Sequence, residues 1–295
     1  MKNGLLIFFF ASILGCADST TSNELSDTQT AETTETDASA AAQSTAEIAQ
    51  SNIVTQELSY EVNGEQHTGF LAFDGASDTK RPGVLVVHEW WGHNDYVRDR
   101  AVQLAEMGYV ALALDMYGSG KLAEHPDDAM AFMQAATADP AALQARFLAA
   151  KQLLTEHSAT QADQVAAIGY CFGGAVVLNM ARSGLDIDGV ASFHGSLATP
   201  APAEAGAVTA KVLVLHGEAD PLVPPDQVAA FKAEMDAAGV DYEFINYPEV
   251  LHGFTNPGAT AKGEQFGLPL AYDEAADSDS WARLEMFFDE IWSDS

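Results

Sequence analysis

The 295-residue sequence predicts an α/β fold built on a mostly parallel, doubly wound sheet, and three observations carry that expectation. Continuous apolar runs such as Gly83–Val87, Tyr109–Leu114 and Val212–Leu215 alternate with stretches of helical periodicity, as expected for strands covered on both faces by crossover helices. The run Val165–Ile168 passes through Gly169-Tyr170-Cys171-Phe172-Gly173-Gly174 into the apolar stretch ending at Arg182, which reads as strand, sharp turn and helix. Ahead of these, Val54–Val62 and His67–Phe73 alternate apolar and polar residues at period two around Asn63-Gly64, a strong hairpin signal.

Taken in order, the hairpin supplies two antiparallel strands at one sheet edge, and Gly83–Val87 is the first buried strand. A helix over Tyr96–Met107 closes at Gly108 and feeds the strand Tyr109–Leu114. Residues Asp127–Thr137 and Pro140–His157 read as helices, and Val165–Ile168 as the strand before the turn. Further strands fall at Gly189–Phe193, Val212–Leu215 and Tyr242–Tyr247, with a helix over Pro225–Ala238. The last helix, Ser280–Trp292, is amphipathic through Trp281, Leu284, Phe287, Phe288 and Ile291.

Forty-three acidic against 13 basic residues leave a formal net charge of −30, which disfavours nucleic acid and anionic membrane surfaces as partners. The N-terminus, MKNGLLIFFFASILGC, has a basic start and an apolar run too short to span a bilayer, followed by a small residue and a cysteine. Ile13-Leu14-Gly15-Cys16 resembles a bacterial lipobox, implying a signal peptide over residues 1–15 and lipidation at Cys16. Residues 16–52 are acidic and small, with no aromatic side chain, and read as a disordered tether. The expectation is an exported, membrane-anchored lipoprotein on the outer-membrane or periplasmic side, with one catalytic domain over 53–295, acting as a monomer. Cys16 and Cys171 are the only cysteines and have separate roles, so no disulfide framework is implied.

Taken alone, Cys171 reads equally as one more buried cysteine. Its setting matches the nucleophile elbow G-x-S-x-G with sulfur for oxygen, where small residues let strand and helix approach closely and the helix N-terminus favours a thiolate. Past this turn an acid and then a histidine follow: Asp220 beyond the strand Val212–Leu215 and His252 beyond Tyr242–Tyr247. Nucleophile, acid, histidine is the chain order of α/β hydrolases, whose sites form outside the carboxyl ends of the strands. Backbone N–H groups of Phe172 and Trp90 are the expected oxyanion donors, with the Glu89 carboxylate beside the thiol. His88, His194 and His216 are read as structural. His88 and His93 are five apart across a glycine, not four apart on a helix, so no metal site is expected.

The segments HEWWGHNDYVRDRAVQLAEMGYVALALDMYG, GYCFGGA, LHGEADPLVP and LHGFTNPG together resemble the dienelactone hydrolase (carboxymethylenebutenolidase) family over Ile53 to Trp292. The resemblance implies a cofactor-free α/β-hydrolase domain with Cys171, Asp220 and His252 as triad and Glu89 accepting the thiol proton when substrate displaces it. It also places Tyr117 and Trp90, with Trp91 and Phe254, near a substrate pocket. The best-known dienelactone enzymes hold a substrate carboxylate with arginines, one shortly after the histidine; here Thr255-Asn256-Pro257 stands there, so a neutral ester or lactone suits at least as well. The implied reaction is hydrolysis of a small ester or lactone through a cysteine thioester, with a thioesterase or polyester-cleaving enzyme on the same machinery left open. The alternative is a non-catalytic ligand- or partner-binding lipoprotein on the same fold.

Overall fold

In the parallel part of the sheet, consecutive side chains point to opposite faces, and the central strands there are apolar on both, which forces helices onto both sides. The computed structural model describes residues 52–293; the signal segment, Cys16 and the tether up to residue 51 lie outside the described residues. The strands are β1 (Ile53–Val62), β2 (Glu65–Asp74), β3 (Arg81–Val87), β4 (Val110–Leu114), β5 (Thr160–Tyr170), β6 (Gly189–Phe193), β7 (Lys211–Gly217) and β8 (Tyr242–Tyr247). They form one sheet in the order β1-β2-β4-β3-β5-β6-β7-β8, antiparallel at β1/β2 and β2/β4 and parallel elsewhere. Asn63 (φ 53°) and Gly64 (φ 82°) both adopt the left-handed turn conformation that joins Val62 to its partner Glu65.

Side-chain alternation sorts the core into two layers. Leu85, Leu112, Ala167, Val190 and Val214 meet α3 (Pro140–Glu156), α4 (Phe172–Arg182) and α5 (Pro225–Ala238) on one face. Val84, Val86, Ile168, Ala191 and Leu213 meet α1 (Asp95–Glu106) and α7 (Glu274–Trp292) on the other. Each of the Val, Leu and Ile side chains among these contributes about 1.5–3 kcal/mol by leaving water, and each Ala less. The helix α2 (Pro126–Thr137) packs chiefly on α3 rather than on the sheet.

Three elements differ from the sequence reading, each for a local reason. β5 begins at Thr160, where Thr160 and Gln161 pair with Arg81 and Pro82 before a register shift; Gln161, Asp163 and Gln164 hide this extension from an apolar-run criterion. α7 begins at Glu274, because Asp273 caps it by accepting from Ala276 N–H at 2.9 Å, whereas its apolar stripe starts about two turns later, at Trp281. A short helix, α6 (Ala259–Phe266), has no apolar periodicity to announce it.

Candidate active site

Cys171 occupies φ 54°, ψ −113°, a backbone conformation costly for any residue with a side chain, at the junction of β5 and α4. The strain persists because the flanking backbone is locked. Cys171 N–H donates to Phe193 O at 3.0 Å. A Cβ at Gly169 would sit 2.1 Å from Gly173 O, and one at Gly173 would sit 2.3 Å from Val87 O, so strand and helix touch through bare backbone. The Cys171 side chain is half-buried and opens onto a cavity of about 530 Å³ that His252 also lines.

The loops after β7 and β8 are laced together: Glu218 N–H donates to Tyr247 O at 2.8 Å and Ala219 N–H to Val250 O at 3.0 Å. This lacing brings Asp220 and His252 face to face. Asp220 Oδ2 lies 2.7 Å from His252 Nδ1, while its Oδ1 accepts from Leu222 N–H at 2.8 Å, so both carboxylate oxygens are held. On the far side of the ring, His252 Nε2 is buried and has no hydrogen-bond partner. Burial alone disfavours the imidazolium, but the neighbouring Cys171 side chain and the bond to Asp220 outweigh it and lift the His252 pKa above its ordinary value.

Glu89 follows β3, and its buried Oε2 accepts from Asn256 Nδ2 at 2.6 Å. Burial pushes its pKa up; the Asn256 bond and the charge of His252 only partly offset this. The loop carrying Glu89 is pinned through its carbonyls. Glu89 O accepts from His88 Nδ1 at 2.5 Å, Trp90 O from the Tyr117 hydroxyl at 3.0 Å, and Trp91 O from Ala123 N–H at 2.9 Å. His88 can do this because burial keeps its ring neutral, with Nε2 accepting from Met116 N–H at 3.1 Å. Neither Trp90 N–H nor Phe172 N–H donates to a protein acceptor among the described residues.

Behind the histidine, Thr255 joins several buried groups. Its Oγ1 meets the Tyr96 hydroxyl at 2.7 Å and His194 Nε2 at 2.9 Å, and its carbonyl accepts from the Arg100 guanidinium at 2.6 Å. Arg100 is itself buried, paired with Asp277 at 2.6 Å and ringed by Tyr96, Tyr170 and Trp281. His194 lies edge-on to His252, with ring centroids 5.0 Å apart.

The structure therefore brings Cys171, Asp220, His252, Glu89, Phe172 and Trp90 to one end of the sheet. Tyr117, Trp91 and Phe254 do not line the cavity. Tyr117 stands behind Trp90 and ties its carbonyl; Trp91 packs against Ala123, Phe266 and Lys262; Phe254 is fully buried under His194 and Tyr247. His93 is a separate buried ring, its pKa pushed down to about 3 chiefly by burial. No three His, Cys, Asp or Glu side chains among the described residues are grouped to hold a metal ion.

The model of the dienelactone hydrolase family matches residues 68–292. The chain belongs to that family. Among relatives, Protein usf of Aquifex pyrophilus is 30% identical over 242 residues, covering 80% of this chain and 98% of its own. A protein of Aquifex aeolicus named as a candidate carboxymethylenebutenolidase is 28% identical, covering 68% of this chain and 87% of its own. Among solved structures, a dienelactone-hydrolase-like promiscuous phosphotriesterase from metagenomic libraries superposes with a TM-score of 0.75 at 33% identity, over 81% of this chain and 99% of its own. The solved protein m3DLH superposes with a TM-score of 0.77 at 37% identity over the same shares.

For this dienelactone hydrolase family chain, Trp90 lines the cavity near which the resemblance placed it, but sequence reasoning missed the walls from α2, from Leu222 and from the segment after α6, and the partner of Glu89. Met130, Met133 and Thr137 line the cavity from α2, at a spacing of three and four residues that marks one helix face and was open to detection. Leu222 follows Asp220, while Leu268 and Leu270 reach the cavity because Ala271 N–H donates to His252 O at 3.1 Å, closing a loop of 19 residues. Nothing local marks that closure.

Proposed function

We propose that this protein hydrolyses a carboxylic ester or lactone through a thioester at Cys171. The reading rests chiefly on one observation: an imidazole whose Nδ1 is bonded to Asp220 and whose buried Nε2 is left unpartnered, facing the cavity that Cys171 opens onto. The sulfur attacks the carbonyl carbon, and the oxygen takes up negative charge against Phe172 N–H and Trp90 N–H. Glu89, poised by burial to hold a proton, accepts it from the thiol as substrate binds. The tetrahedral adduct collapses with cleavage of the carbon–oxygen bond, and imidazolium at His252 protonates the departing alkoxide. His252 then takes a proton from water, whose oxygen attacks the thioester; the acid leaves, and the freed Cys171 sulfur takes its proton back from Glu89, which restores the starting state.

Support also comes from the family match and from the relative bearing a carboxymethylenebutenolidase name. The deciding experiment is turnover of a short-chain aryl ester by wild type and Cys171→Ala, with intact-mass analysis of the quenched enzyme. Loss of turnover in the variant and an acyl mass increment on wild type are expected; equal rates would overturn the proposal.

We also propose that Cys16 carries a lipid and that residues 16–52 tether the domain to an outer-membrane or periplasmic surface. Cys16→Ala should then move the protein from the membrane pellet to the soluble fraction.

A further inference from the structure

The cavity walls carry chemistry that the reaction does not need. Six of them are Trp90, Met130, Met133, Leu222, Leu268 and Leu270, drawn from the Glu89 loop, α2, the Asp220 loop and the segment after α6. No Lys, Arg, Asp or Glu lines the cavity. Its about 530 Å³ lies within the range of small-molecule sites, and its apolar character continues to the rim, where Met130 is 41% and Leu222 51% exposed. Two unrelated parts of the chain thus place large apolar side chains in water at the mouth of one site. The whole protein carries a formal charge of −30, so an anion approaches against its field and then finds no Lys or Arg lining the cavity, the imidazolium of His252 being already paired with Asp220. Methionines on α2 are unbranched and polarizable, which lets the wall adapt to differently shaped chains.

We infer that the site selects uncharged esters with an extended apolar acyl or alcohol group, and that α2 sets this preference through Met133 and Met130. The inference rests on the hydrolase reading above. Each methylene that leaves water inside the cavity raises kcat/KM by about fourfold until the cavity is filled. A carboxylate at the end of the same chain lowers it by at least about a hundredfold, because the charge is buried without a partner.

The test uses the full chain and p-nitrophenyl esters of acetate, butyrate and hexanoate, together with the adipate monoester, which ends the hexanoate chain in a carboxylate. Wild type, Cys171→Ala and Met133→Lys are compared, Met133 being half-buried on a helix surface where substitution leaves the fold intact. Expected are Cys171-dependent rates rising from acetate to hexanoate, a strongly disfavoured adipate monoester, and a shift of at least about tenfold toward that monoester in Met133→Lys. Cys171-dependent cleavage of the monoester as fast as hexanoate would overturn the selectivity and leave the hydrolase reading standing. Absence of Cys171-dependent cleavage of every ester would overturn the hydrolase reading, and the selectivity with it.

Discussion

Glu89 Oε2 accepts a 2.6 Å hydrogen bond from the Asn256 amide, 167 residues further along the chain, and both side chains are buried. Among the described residues, the one hydrogen bond to this carboxyl comes from a neutral group, while burial raises its pKa. A carboxyl whose folded pKa exceeds its unfolded value binds its proton more tightly in the native state. Its contribution to stability is therefore full below the unfolded pKa and is lost as pH rises through the folded value.

Glu89→Gln never ionises, so it should be more stable than wild type at pH 7–8, with the gap closing as pH falls through the raised folded pKa and gone below the ordinary carboxyl range. Thermal melts across that series read it directly, at about 2–4 °C per kcal/mol for a domain of this size. The same variant should lose turnover. A variant no more stable than wild type at pH 8 would show that Glu89 is comfortable as a carboxylate.

Asp220→Asn keeps the shape of the contact to His252 but removes its charge. The His252 pKa should fall toward its ordinary value, as read by NMR titration, and kcat should drop by about 10²–10⁴-fold. An unchanged imidazole titration would separate Asp220 from the chemistry.

Cys171 holds a strained backbone that glycine adopts freely. Cys171→Gly should therefore stabilise the fold by about 1 kcal/mol in denaturant unfolding while abolishing turnover. Destabilisation instead would mean that the sulfur's packing outweighs the strain.

Gly169→Ala should cost more than about 3 kcal/mol, because the new methyl would meet Gly173 backbone at 2.1 Å and neither strand nor helix can retreat. Soluble yield and melting temperature are the readouts, and a well-folded Gly169→Ala protein would contradict the contact.

Arg100→Leu leaves Asp277 half-stripped of its partner and frees the Thr255 carbonyl, so a loss of about 3–5 kcal/mol is expected. Arg100→Leu combined with Asp277→Leu should recover part of it, which a double-mutant cycle measures. If the double variant is as unstable as the single, the aromatic ring of Tyr96, Tyr170 and Trp281 around the guanidinium, not the ion pair, is what Arg100 supports.

The alternating strands and helices, the hairpin at Asn63-Gly64 and the turn at Cys171 were determined by the sequence alone, because each rests on periodicity or on small residues within a few positions. The chain order Cys171, Asp220, His252 was legible for the same reason: each stands in the loop after an apolar run, and parallel strands bring such loops to one edge. What only the tertiary structure decided are the meetings across long stretches of chain. Asn256 reaches Glu89, Arg100 reaches Thr255 and Asp277, and α2 and the segment after α6 close over the cysteine. Such contacts depend on how loops of no fixed periodicity fold back on the sheet, and they are set by burial and hydrogen bonding between groups that are strangers in sequence. That is also why Trp91 and Phe254, which sit beside site residues along the chain, and Tyr117, which does not, ended up supporting the cavity rather than lining it.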